Sequence, residues 1–95
     1  MSKSEKELEL TAKILKDTVE GRILVEILNS KDQIITLSEL RERFDDNKKV
    51  SYYVNRLARV RLIKEFKIGI GRSKYITLTD KGKKLAEKII ELQKS

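Results

Sequence analysis

The stretch Asp46–Thr79, DNKKVSYYVNRLARVRLIKEFKIGIGRSKYITLT, decides the fold. Val50, Val54 and Leu57 recur at helical spacing, and the aliphatic stem of Arg61 extends their face. Tyr53 flanks that face. The opposite side carries Lys48, Ser51 or Tyr52, Asn55, Arg56 and Arg59. The pattern predicts a helix from Lys48 to about Arg61, after which Leu62 and Ile63 pack back. Residues 64–68 and 74–79 are strand candidates on either side of Gly69-Ile-Gly-Arg-Ser73. The two glycines supply the positive φ that a hairpin turn needs. Alternation puts Ile76 and Leu78 on one side of the second strand, with Tyr75 and Thr77 on the other. From Asn47 to Thr79 there are nine Lys or Arg residues and one acid, Glu65.

Working toward the N-terminus, Asp45-Asp46-Asn47 breaks the chain and offers helix caps. Before it, Leu40 and Phe44 mark the buried side of a short helix. Either Ser38 or Thr36, the latter with Glu39 three residues on, can cap its start. Ile34–Leu37 is β-branched and reads as a small strand, and residues 30–33 as a loop. Residues 18–29 form a helix burying Ile23, Leu24, Ile27 and Leu28. Asp17-Thr-Val-Glu20 has the form of a capping box with Asp17 as the cap, so a bend is expected near residues 16–18. Ahead of it, Leu8, Ala12, Leu15 and Val19 make one apolar stripe on a helix over residues 4–16, widened by Leu10 and Ile14. On the C-terminal side, Thr79 caps a final helix over residues 80–94, with Asp80 suited to its first turn. Leu85, Ile89 and Leu92 form its stripe; Lys81, Lys83, Lys84 and Lys88 read as a solvated face.

Ninety-five residues make one domain with a small core. There is no Cys and no His, which removes thiol nucleophiles, the usual zinc sites and His-based acid–base catalysis. No cofactor motif is present, no acidic cluster lies in a plausible pocket, and an enzyme is not expected. No apolar run approaches the ~18–20 residues of a membrane span, and the first residues do not resemble a signal peptide. A cytoplasmic protein with no membrane partner is expected. The net charge of +7 is polarised. Residues 1–46 hold 8 basic and 11 acidic side chains, residues 47–95 hold 14 and 4. A surface so divided suits a polyanion on its second half. The abundance of Lys, Glu and Ile suits either a thermophile or an A/T-rich genome.

In order, the elements read helix, helix, short strand, helix, turn, helix, strand, strand, helix: an α+β chain, mainly α. Ser38-Glu39-Leu40, Val50-Ser51-(x)2-Val54-(x)2-Leu57, Leu62-Ile63, and Leu78-Thr79-Asp80-Lys81-Gly82 after a basic hairpin resemble a winged helix-turn-helix regulator. The MarR-like and ArsR-like groups, with small archaeal or viral relatives, are the types it looks like. The resemblance implies a single winged-helix domain over 1–95, with an N-terminal helix over 1–17, the core with its two-stranded wing over 18–79, and a dimerisation helix over 80–95. It also implies a homodimer on double-stranded DNA with a palindromic site. Three departures stand out. Arg41 replaces a small Ala, which implies looser packing; the turn at residues 45–47 is short and lacks Gly; and Arg61 replaces the Gly that ends the recognition helix.

The mechanism so implied is groove reading. Ser51, Tyr52, Asn55 and Arg56 are the candidates for base edges or nearby phosphates in the major groove. Lys48, Lys49 and Arg59 are phosphate candidates. Lys67, Arg72 and Lys74 charge the wing, with Arg72 suited to a narrow minor groove. Tyr53 reads as core edge. The stripes Leu8/Ala12/Leu15 and Leu85/Ile89/Leu92 either fold back on the core or pair across a two-fold axis, and the dimer is the preferred reading. The function expected is a dimeric transcription repressor. The alternatives are an architectural protein coating DNA and a winged helix that binds a protein partner.

Overall fold

The computed structural model describes residues 3–45, 47–69 and 73–94. Among these residues, five α-helices and three strands follow in the order α1 (Lys3–Leu15), α2 (Val19–Leu28), β1 (Ile34–Thr36), α3 (Leu37–Glu42), α4 (Asn47–Arg59), β2 (Ile63–Lys67), β3 (Lys74–Leu78) and α5 (Asp80–Lys94), with a 3-10 turn at Lys31–Gln33 where a loop was expected. The expected bend separates α1 from α2, but its cap is Thr18 and not Asp17. The Thr18 hydroxyl accepts from the Gly21 amide at 3.1 Å and donates to the Leu15 carbonyl at 2.7 Å. Gly21 fixes this choice. A Cβ there would stand 2.0 Å from the Leu15 oxygen, so only glycine lets α2 start so close to the end of α1.

The same device recurs at the other end of the chain. Thr79 caps α5 as expected, accepting from the Gly82 amide at 3.0 Å and donating to the Arg61 carbonyl at 2.7 Å. A Cβ on Gly82 would lie 1.8 Å from the Leu62 oxygen. Each Thr-x-x-Gly corner therefore satisfies helix-end amides and seats a helix directly on the preceding backbone.

The sheet has three strands and not only the two of the wing: the order is β1-β3-β2, all antiparallel. Ile34 pairs with Thr77 and Ile35 with Ile76. Ile63 pairs with Leu78, Glu65 with Ile76 and Phe66 with Tyr75. Ile35 and Ile76 are buried on the core face, while Phe66 and Tyr75 stack on the other face at 5.7 Å. The strand reading of β1 stops one residue early because Leu37 already belongs to α3. Thr36 wins the capping choice over Ser38: its hydroxyl accepts from the Glu39 amide at 3.1 Å and donates to the Glu39 carboxylate at 3.0 Å.

One continuous core contains Ala12 of α1, Ile23, Leu24 and Ile27 of α2, Leu40, Val50, Val54, Leu57, and Leu85, Ala86 and Ile89 of α5. This answers where the terminal stripes go. Ala12, Leu85 and Ile89, expected as dimer contacts, are buried by their own chain, and Leu8, Leu15 and Leu92 pack partly buried against the same cluster. The Gln93 side-chain amide donates to the Lys16 carbonyl at 3.1 Å and pins the end of α5 to the end of α1. Burying these faces inside the chain removes apolar surface that would otherwise cost about 25 cal/mol per Å² in water. Leu10 and Ile14 remain outward on α1, 59% and 72% exposed. Among the described residues no helix is long and apolar enough to cross a membrane.

Candidate nucleic-acid interface

The site is built on α3 and α4. Leu40 and Phe44 anchor α3 and the turn after it, Phe44 lying just beyond the helix. The Arg22 guanidinium sits over the Phe44 ring at 4.8 Å, and Arg43 pairs with Glu26 at 2.7 Å. Both contacts tie the turn to α2. Val50, Val54 and Leu57 are fully buried, which fixes the rotation of α4. What then faces outward follows from 3.6 residues per turn. Lys48, Lys49, Tyr52, Asn55, Arg56 and Arg59 are all exposed. Tyr53 is partly buried against the core and meets Tyr52 edge-on at 5.4 Å, as its core-edge reading expects.

The end of α4 differs from its sequence reading. The helix stops at Arg59, and the Arg61 side chain is exposed, not laid along the core face. The Leu62 amide bonds to the Leu57 carbonyl at 3.0 Å and the Arg61 amide to the Ala58 carbonyl at 3.1 Å. That is the pair of bonds of a Schellman turn, which requires a left-handed residue. Arg61 supplies it at φ 60° in place of the usual glycine. The helix still ends where a glycine would end it; the left-handed backbone costs about 1–2 kcal/mol.

Electrostatics single out the outward face. The sequence of α4, NKKVSYYVNRLAR, contains no acid. Arg56 and Arg59 suit the negative end of the helix dipole, but Lys48 and Lys49 stand at the positive end, where cations are unfavourable by about 0.3–1 kcal/mol each. Arg56 lies over the Tyr52 ring at 5.7 Å, which orients its guanidinium beside an exposed aromatic. Ser51 is half-buried and not a free reader. Its hydroxyl accepts from both Nε and Nη2 of Arg41, the Nε contact at 3.0 Å. Sequence reasoning missed this pair, and its signal was the long polar Arg41 in place of a small residue.

At the hairpin, Gly69 takes φ 69°, the left-handed turn its position predicts. Lys67 is exposed and sits directly opposite Lys74 in the ladder. Such like-charged pairs repel. Lys74 is half-buried and turned to Glu65 at 3.4 Å, so part of its charge is already answered. Gly71 and Arg72, named as turn glycine and minor-groove candidate, lie outside the described residues. Lys48, Lys49, Tyr52, Asn55, Arg56 and Arg59 thus share one helix, while Lys67 stands apart on the sheet.

A sheet-edged helix-turn-helix with this order has counterparts among solved structures. Sco3205, a MarR family transcriptional regulator from Streptomyces coelicolor solved in complex with DNA, aligns with 77% of this chain at a TM-score of 0.68 and 20% identity. This chain spans only 47% of Sco3205's length. The chain has a MarR-like winged-helix fold. A transcriptional regulator homologue from Pyrococcus horikoshii OT3 aligns with 98% of this chain and 92% of its own, with a TM-score of 0.71 and 21% identity. A mutant of TubR, a protein of type III plasmid segregation, aligns with 93% and 94%, with a TM-score of 0.75 and 18% identity. No family model matches the sequence, and neither does any curated protein. In winged-helix terms, α3 and α4 are the helix-turn-helix, β2 and β3 are the wing, and β1 is the strand that closes the sheet on β3.

Proposed function

We propose that this winged helix is a dimeric DNA-binding transcription regulator, a repressor that reads the major groove with α4 and clamps the flanking backbone with its wing. One observation carries the reading: the outward face of α4 holds Lys48, Lys49, Tyr52, Asn55, Arg56 and Arg59 without an acid, on a helix locked by its buried face. Asn55 and Arg56 are the base readers, suited to adenine and guanine edges, each worth about 1–3 kcal/mol of discrimination when bidentate. Lys48, Lys49, Arg59 and Lys67 neutralise phosphates. The DNA in the Sco3205 crystal supports duplex DNA as the partner of a fold of this kind.

The dimer in this reading has a changed basis. Leu10 and Ile14 are the outward apolar pair on α1, and Val60 is 55% exposed beside an open groove of about 720 Å³ along α1, α5 and the end of α4. In this proposal a second copy laid against these residues presents a second α4 to the same duplex, and a two-fold protein calls for a palindrome. Ile14→Glu is expected to leave a folded monomer in equilibrium sedimentation.

A second reading keeps the same surface but drops sequence preference: a protein that coats DNA. The basic residues on the outer face of α4, which suit phosphates of any sequence, favour it. Selecting duplexes from a random pool at two salt concentrations separates the two. A regulator enriches one palindrome that survives the higher salt; a coating protein enriches none. Failure to retain any duplex at low salt would remove both and return the chain to a protein-binding role.

A further inference from the structure

Three arginines surround the helix-turn-helix, and they are not held alike. Arg22 lies on the Phe44 ring and Arg43 on the Glu26 carboxylate. Both are anchors between α2 and the turn. Arg41 is exposed, and its partner is the neutral Ser51 hydroxyl on the reading helix. A guanidinium carries five N–H donors in a planar fork. Ser51 takes the Nε and Nη2 side. Among the described residues Nη1 has no partner and no carboxylate pairs with the guanidinium. The side chain is thus fixed in direction and left with donors and charge to spend.

We infer, resting on the DNA-binding reading above, that Arg41 is a further phosphate contact of this interface, and that Ser51 is a positioning residue that acts through it and not a base reader. The chemistry favours this division. With its lone pairs occupied by Arg41, Ser51 keeps only its O–H to offer. The fork of Arg41 matches the geometry of a phosphate oxygen pair, and restraint by Ser51 reduces the side-chain entropy lost on binding. A long cation then has a reason to stand on α3 where a small residue would pack: it stays out of the helix–helix contact and reaches across it. Lys48 and Lys49 lie on the first turn of the same helix as Ser51 and add to the field a phosphate meets there.

The test is equilibrium binding of a mixed-sequence duplex by the wild type, Arg41→Ala, Arg41→Lys, Ser51→Ala and the double variant, across about 50–200 mM salt. A phosphate contact contributes about 0.9 to the slope of log affinity against log salt on duplex DNA. Arg41→Ala is expected to flatten the slope by about that amount and weaken binding at least tenfold at low salt. Arg41→Lys should keep the slope and lose part of the affinity. Ser51→Ala should keep the slope too, and add nothing once Arg41 is gone. A mere staple between α3 and α4 would lower the melting temperature and leave the slope unchanged. If the wild type binds and Arg41→Ala keeps the wild-type slope, the inference is overturned and the regulator reading stands. If the wild type binds no duplex at low salt, both fall together.

Discussion

The two long amphipathic helices of the second half, α4 and α5, are built alike and charged differently. Each buries a stripe, Val50/Val54/Leu57 in one and Leu85/Ala86/Ile89 in the other, and each turns basic residues outward. In α5 acids are interspersed with the bases. Asp80 stands in the first turn beside Lys81 and Lys83, Lys94 in the last, and Lys88 reaches Glu91 at 3.3 Å. In α4 there is no acid, so no carboxylate of the helix itself offsets Lys48 and Lys49 in its first turn. A basic face offset by acids of its own helix serves solubility and stability. A basic face with none within the helix supports the proposal that an external anion answers it. Composition alone cannot make this distinction, since both helices are Lys/Arg-rich.

The largest effects test what the helices share. Leu57→Ala and Leu85→Ala each leave a cavity at a site no more than 2% exposed, and each is expected to cost about 2–5 kcal/mol in chemical denaturation. A cost near zero for Leu85 would mean that α5 does not pack as described. The next effect separates the helices. Arg56→Ala should weaken binding to a selected duplex by about 1–3 kcal/mol and relax its sequence preference, while Lys84→Ala should do neither. Equal losses would erase the difference between the two basic faces.

Smaller effects probe the ends of α4. Arg61→Gly, at φ 60°, is expected to raise thermal stability by about 1 kcal/mol, since glycine adopts that backbone without a Cβ penalty. Lys48→Glu should stabilise the free protein by about 0.3–1 kcal/mol and yet weaken DNA binding. Asp80→Lys, the mirror change on α5, should destabilise by a similar amount and leave binding intact. The opposite signs on the two helices are what the electrostatic contrast requires.

Much of this was readable from the chain itself. The buried and exposed faces of α4 follow from periodicity, and Thr79-Asp80 announces the start of α5. The two antiparallel wing strands, the left-handed Gly69 and the bend near Lys16 were also visible. What was not visible depended on distance in sequence. The pairing of Ile34 with Thr77 joins β1 to the wing across the whole helix-turn-helix, and no local pattern shows it. An apolar stripe does not name its partner, so Leu85 and Ile89 could be assigned to a second copy when α1 and α2 of the same chain pack on α5. Asp17 and Thr18 are both good caps; only the contact between Gly21 and the Leu15 carbonyl chooses Thr18. Arg61 reads as a helix residue because positive φ is rare without glycine. Ser51 reads as an open hydroxyl on the outer face of α4 until Arg41 is seen to bond to it.

The central claim is that the outward face of α4 holds duplex DNA. Fluorescence anisotropy of a labelled mixed-sequence duplex, titrated with the purified chain from low to physiological salt, tests it most directly. The account predicts tight binding at low salt that falls steeply and linearly on logarithmic axes as salt rises, and a weaker titration for Arg56→Ala. Absence of binding at the lowest salt, or binding indifferent to both salt and Arg56, would contradict it.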